Sequence, residues 1–134
     1  AVDTPFGLTV PVVKDVDQKS IIDLSSELMD LSSRARQKKL KPDEIKGGTF
    51  TISSLGGIGG TGFSPIVNPP EVAIMGVSKS DWKQVYDKET GEFQTRFIMP
   101  FSLSYDHRVI DGASAAAFTS RFASALCDLS YFKN

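Results

Sequence analysis

The run "EVAIMGVSKS", Glu71 to Ser80, constrains the fold more than any other stretch. Pro65, Pro69 and Pro70 stand before it and exclude a helix leading into it. Val72, Ala73, Ile74, Met75 and Val77 are apolar on both parities, the pattern of a strand covered on both faces or nearly so. A sheet interior is therefore built in, and the remaining segments have to be arranged around it.

Two segments have helical spacing. In "IIDLSSELMDLSSRARQKKL", Ile21, Leu24, Leu28, Leu31 and Ala35 fall on one stripe. Asp17 is the expected N-cap, and the basic residues fall in the last turns, where they suit the helix dipole. A second helix is expected from about Gly112 to Asp128, with Phe118, Phe122 and Leu126 as a buried stripe and Cys127 as a buried thiol. Strands are expected at Gly7 to Val13 (with Pro11 marking an edge or bulge), at Thr49 to Ser54, and in a hairpin turning at "KETG" with a long return to Tyr105. "KPDEIKGG" reads as one helical turn opened by Pro42 and stopped by Gly47 and Gly48. With 134 residues, one domain with a modest core is expected.

Charge narrows the partners. The formal net charge is -1, which argues against a nucleic-acid platform. The basic run "RARQKKLKP", Arg34 to Pro42, reads as a solvated helix end. No apolar run reaches the roughly 20 residues of a membrane span. The one cysteine and one histidine exclude an intrachain disulfide and a zinc site of normal ligand number. A reducing cytosolic setting fits. The chain opens at "AVDTPFGLTVPVV" with no initiator methionine, which reads as a fragment.

His107 is that one histidine. Phe101, Leu103 and Tyr105 share a strand parity that His107 continues, so the imidazole is expected to leave the strand end on the apolar side. Asp111 stands where the next helix begins and reads as an N-cap. Spacing alone leaves His107 either structural or catalytic. Gly57, Gly59 and Gly62 satisfy G-x-G-x-x-G, but an extended, proline-bearing segment follows where a dinucleotide fingerprint needs a helix. Ser53 and Ser54 end a strand before that loop. Serines there commonly serve turns, and one could instead donate to an oxyanion. No G-x-S-x-G elbow is present.

"SYDHRVIDGA" carries H-x-x-x-D-G and resembles the active-site segment of the dihydrolipoyl acyltransferase components of 2-oxo acid dehydrogenase complexes. It is more distantly similar to chloramphenicol acetyltransferase and peptide-synthetase condensation domains. Those relatives usually carry a second histidine where this chain has Asp106. "AVDTPFGLTVPVVKDV" and "GGTFTISSLGGIGGTGFSPIVNPPEVAIMGVSKS" are similar to the same family, in the expected order. "DHRVIDGA" and "FTISSLGG" resemble the pyruvate dehydrogenase type, which implies acetyl transfer.

The resemblance implies an α/β fold, a two-layer sandwich with a mixed sheet, chloramphenicol-acetyltransferase-like. Residues 1–134 would be the C-terminal part of that catalytic domain, truncated on its N-terminal side. It implies three roles: His107 as general base for a thiol, Ser53 as donor to the tetrahedral oxyanion, and Asp111 as a residue holding geometry around the histidine. Coenzyme A would be a substrate, no metal would be needed, and the lipoyl-lysine would come from a lipoyl domain that the chain lacks. The implied partners are further copies in trimers with active sites between subunits and larger cores, a lipoyl domain, and the decarboxylase and dihydrolipoyl dehydrogenase components. Neither nucleic acid nor membrane is implied. The setting would be bacterial cytoplasm, or the mitochondrial matrix in a eukaryote. Two other readings stay open: a non-catalytic assembly fragment, and a free CoA-dependent acetyltransferase of small molecules.

Overall fold

The structure is a computed structural model that describes residues 1–132. The chain forms two compact units, Ala1–Thr51 and the segment from Ile52 onward.

The first unit opens with a hairpin of β1 (Val2–Thr4) and β2 (Gly7–Thr9), in the register Val2↔Thr9 and Thr4↔Gly7. The Thr4 hydroxyl donates to Gly7 O at 2.6 Å. Gly7 takes φ 108°, a left-handed-side value that a side chain disfavours. The expected strand to Val13 stops at Thr9, just before Pro11, which can donate no ladder hydrogen bond. Helix α1 spans Ile21–Arg36. Its N-cap is Ser20 rather than Asp17. Ser20 Oγ accepts from Asp23 N at 3.2 Å, and Asp23 answers by accepting from Ser20 N. Asp17 is taken up in a preceding short turn, Val16–Gln18. Of the expected apolar stripe, Leu31 and Ala35 are buried, while Ile21 and Leu28 are exposed. The turn Pro42–Ile45 is held to α1 by Glu44, which accepts from Arg34 Nη1 at 2.7 Å. That guanidinium keeps the Glu44 carboxyl down at about 2.

The second unit holds a three-stranded sheet in the order β3-β4-β7, from Thr51–Ser54, Ala73–Val77 and Phe101–Tyr105. The central strand β4 carries the core. Ala73, Ile74 and Met75 are buried, Met75 at 2 % exposure, as a strand covered on both faces requires. β4 and β7 are antiparallel, with Ala73 opposite Tyr105 and Val77 opposite Phe101. Leu55 N donates to Val77 O at 2.8 Å, so β3 and β4 end side by side. The expected long return strand is two strands. β5 (Asp81–Asp87) and β6 (Glu92–Ile98) form their own hairpin, and Pro100 separates β6 from β7. The break is used: Pro100 O accepts from Ser78 N at 2.9 Å. One face of that hairpin is aromatic, pairing Trp82 with Phe97 at 5.1 Å and Tyr86 with Phe93 at 5.4 Å between ring centroids.

Helix α2 spans Gly112–Cys127. Phe122 meets Phe101 edge-on at 5.1 Å and lies parallel to Phe118 at 6.4 Å. The stripe is less covered than its spacing suggested. Ala115 is buried, Phe118 and Leu126 are exposed, and so is Cys127, which was expected inside.

Gly76 shows how tightly the loop after β3 is laid on the sheet. The Ser102 hydroxyl donates to Phe63 O at 2.5 Å, drawing Phe63 over β4 and β7. A Cβ at residue 76 would lie 2.8 Å from Phe63 Cζ and 2.9 Å from Ser102 Oγ. Gly76→Ala is expected to destabilise the chain by about 1–3 kcal/mol through overpacking, read as a lower midpoint in urea with an unchanged slope. An unchanged midpoint would show that Phe63 is not fixed there.

Candidate active site

β7 delivers His107 to the surface. After Tyr105 the chain leaves the sheet with one last ladder-like bond, Asp106 N to Val72 O at 2.8 Å, and then turns. Val109 N and Ile110 N both donate to Asp106 O at 3.0 Å, which closes the turn around His107. The imidazole is exposed, and the Tyr105 ring lies beside it, 5.7 Å between centroids and tilted 39°. Tyr105 in turn sits under the start of α2, its hydroxyl 3.8 Å from where a Cβ of residue 112 would be.

Asp111 caps α2 as its place in the sequence suggested. Its Oδ1 accepts from Ser114 N at 2.7 Å, satisfying one of the amides that a helix start leaves unpaired. That hydrogen bond is the main reason its carboxyl titrates below the ordinary range, and the charge of His107 adds the smallest share. Asp111 thus fixes where α2 begins, four residues after His107.

Asp106 and Arg108, to which the sequence assigned no role, form the shortest polar contact of the turn. Arg108 grips the Asp106 carboxylate through Nε at 3.0 Å and Nη2 at 2.6 Å. The pair holds the Asp106 carboxyl down at about 2. It borders an open groove of about 440 Å³, lined also by Pro69, Pro70, Glu71 and Tyr105.

The two serines of β3 have different surroundings. Ser54 is exposed, and its Oγ accepts from Gly56 N at 3.3 Å, an ordinary turn contact. Ser53 is half-buried, and its hydroxyl makes no side-chain hydrogen bond among the described residues. Within one chain Ser53 is not brought to His107. Their strands flank β4, about 9–10 Å apart at two strand spacings. They also lie toward opposite ends of it: β3 ends beside Val77, whereas β7 ends beside Ala73.

No helix follows the glycine-rich loop before Pro70, so that loop lacks the helix N-terminus a dinucleotide site uses. Among the described residues no group of three or more His, Cys, Asp or Glu side chains is placed to hold a metal ion. None of the described helices is long and apolar enough to cross a membrane.

The family described as 2-oxoacid dehydrogenases acyltransferase (catalytic domain) matches residues 1–131. The dihydrolipoyllysine-residue acetyltransferase component of the pyruvate dehydrogenase complex of Pseudomonas aeruginosa is 59% identical over 129 residues, covering 96% of this chain and 23% of that protein. Two solved structures each superpose with a TM-score of 0.94 at 56% identity, covering 98% of this chain and 53% of theirs. One is the Azotobacter vinelandii dihydrolipoamide acetyltransferase, studied for the roles of a serine, a histidine and an asparagine in its catalytic mechanism. The other is the cubic core of the pyruvate dehydrogenase multienzyme complex. The chain thus spans about a quarter of the length of the curated relative and about half of the solved chains.

Proposed function

The chain belongs to the 2-oxoacid dehydrogenase acyltransferase (catalytic domain) family, and we propose that it transfers an acetyl group between a dihydrolipoyl arm and coenzyme A in a pyruvate dehydrogenase complex. In this reading His107 takes the proton of the attacking thiol. The thiolate adds to the thioester carbonyl, and Ser53 donates its hydroxyl to the oxyanion that forms. The intermediate then expels the other thiolate, which takes the proton back from the imidazolium. No acyl-enzyme or metal enters the sequence. In the Azotobacter vinelandii enzyme the histidine and asparagine under study stand four residues apart, the separation of His107 and Asp111 here. The one observation that carries the reading is this lone imidazole, presented on a turn with that spacing to a helix cap.

The separation of Ser53 from His107 supports a site shared between copies: the serine of one meets the histidine of another. Multimeric cores are known for a relative, and the aromatic hairpin face leaves Trp82 65 % and Phe93 70 % exposed, surface suited to a neighbour. The direct test is acetyl transfer from acetyl-CoA to dihydrolipoamide, with succinyl-CoA as the competing donor. Transfer confined to succinyl-CoA would overturn the acetyl preference, and no transfer to dihydrolipoamide would overturn the function. The shared site has its own test. His107→Ala and Ser53→Ala chains, each nearly inactive, should regain about a quarter of wild-type activity when mixed and reassembled at random. Mixtures no better than their parents would place both residues in one chain's site.

The tail bears on assembly. The last turn, Leu129–Phe132, leaves Tyr131 63 % and Phe132 46 % exposed. We propose that these two rings dock on a neighbouring trimer; Lys133 and Asn134 lie outside the described residues. Deleting Tyr131 to Asn134 should reduce a large core to trimers in sedimentation. An unchanged assembly would refute the docking, and unfolded monomer would assign Phe132 to its own subunit. The relatives are bacterial, which supports a bacterial cytoplasmic setting. The lipoyl domain and the other components of the complex would be met through segments outside this chain.

A further inference from the structure

Asp106 holds nearly every anchor of the turn that carries His107. Its amide donates to Val72 O, and its carbonyl accepts from Val109 and Ile110. Its carboxylate accepts from Arg108 three ways: the backbone N–H at 3.0 Å, Nε at 3.0 and 3.2 Å, and Nη2 at 2.6 Å. The two side chains are unequal in cover, 23% exposed for Asp106 and 89% for Arg108. An ion pair this open adds little to stability. Its placement is what matters, because its two members are the residues on either side of the imidazole.

We propose that Asp106 is a positioning residue for His107, with Arg108 as its counter-charge. The carboxylate fixes the turn that presents the imidazole, and it offsets a guanidinium one residue away. The inference rests on the reading of His107 as a base. An unpaired Arg108 would oppose the imidazolium that forms as the thiol loses its proton, and an unpaired Asp106 would favour it. The other groups near the ring are Tyr105 beside it and Asp111 four residues on, with Glu71 on the groove below. The Asp106 carboxyl, held at about 2, stays ionised throughout the range in which a histidine titrates.

His107 is the chain's one histidine, so its titration can be followed without turnover. Diethyl pyrocarbonate acylates neutral imidazole, and the rate of labelling of the His107 peptide against pH, read by mass spectrometry, gives a midpoint in an assembly of any size. Arg108→Met should raise that midpoint by about 0.5 unit and Asp106→Asn should lower it by about 0.5, while the double variant should return to within about 0.2 of wild type. Asn can still accept the Arg108 N–H, so Asp106→Asn keeps the turn. Asp106→Ala, which removes that acceptor, should lower kcat about tenfold with KM for CoA unchanged. Single variants whose midpoints stay at the wild-type value, or move the same way, overturn the counter-charge. An Asp106→Ala kcat equal to wild type overturns the positioning. Failure of the base assignment shows separately, as an active His107→Ala chain whose parent still gives the opposed shifts.

Discussion

Replacing His107 with alanine should lower acetyl transfer between CoA and dihydrolipoamide by about 10²–10⁴ at neutral pH. A thiol with an ordinary pKa near 8.5 is a few per cent ionised at pH 7, so attack without a base must wait for the rare thiolate. The chain has no other imidazole that could take over the proton. The deficit should therefore shrink as pH rises toward the thiol's own pKa, because the solvent then does the work of the base. A variant whose rate stays within threefold of wild type at pH 7, with the fold intact, removes His107 from the mechanism. A deficit of the same size at pH 7 and pH 9 would assign it a role other than proton removal.

Ser53→Ala should lower kcat by about 10²–10³ with little change in KM, because the hydrogen bond to the oxygen strengthens only as the oxyanion develops. Ser54 is the internal control. Alternation along β3 sends the two hydroxyls to opposite faces. The Ser54 hydroxyl is already engaged, accepting from Gly56 N at the turn into the glycine-rich loop. Ser54→Ala should cost about 0.5–1.5 kcal/mol of stability and leave kcat near wild type. The reverse outcome, with Ser54→Ala the more damaging to kcat, would exchange the two assignments.

Features decided within a few residues were legible in the sequence. The cap at Asp111, the hairpin turning at Lys88 to Gly91 and the two-sided burial of β4 are such cases, and the wording around His107 carried the family. What was not legible falls into two physical kinds. Periodicity shows which face of an element is apolar, but not whether anything covers it, so Phe118, Leu126 and Cys127 came out exposed. Competition between neighbouring groups is also hidden. Asp17 and Ser20 can each cap a helix, and Ser20 prevails because Asp23 stands three residues on to complete the reciprocal pair. The Asp106–Arg108 grip, two residues apart across a turn, has no periodic signature at all.

The hydrogen bond that starts α2 also bears on how the protein ages. Among aspartates, one followed by Gly is the most prone to cyclise, the following backbone nitrogen attacking the side-chain carbon and water leaving to give a succinimide, which hydrolyses to isoaspartate. Asp111 and Gly112 are such a pair, exposed at the surface. Here the carboxylate is turned forward onto Ser114 N, and the backbone of Asp111 is extended at ψ 166°. Gly112 is the first residue of the helix. The carboxylate is therefore tied to an amide two residues beyond the nitrogen that would attack its carbon. The contact that orders the helix thus restrains the residue four places beyond His107 against a spontaneous chemical clock that would otherwise run at that position in any unfolded copy.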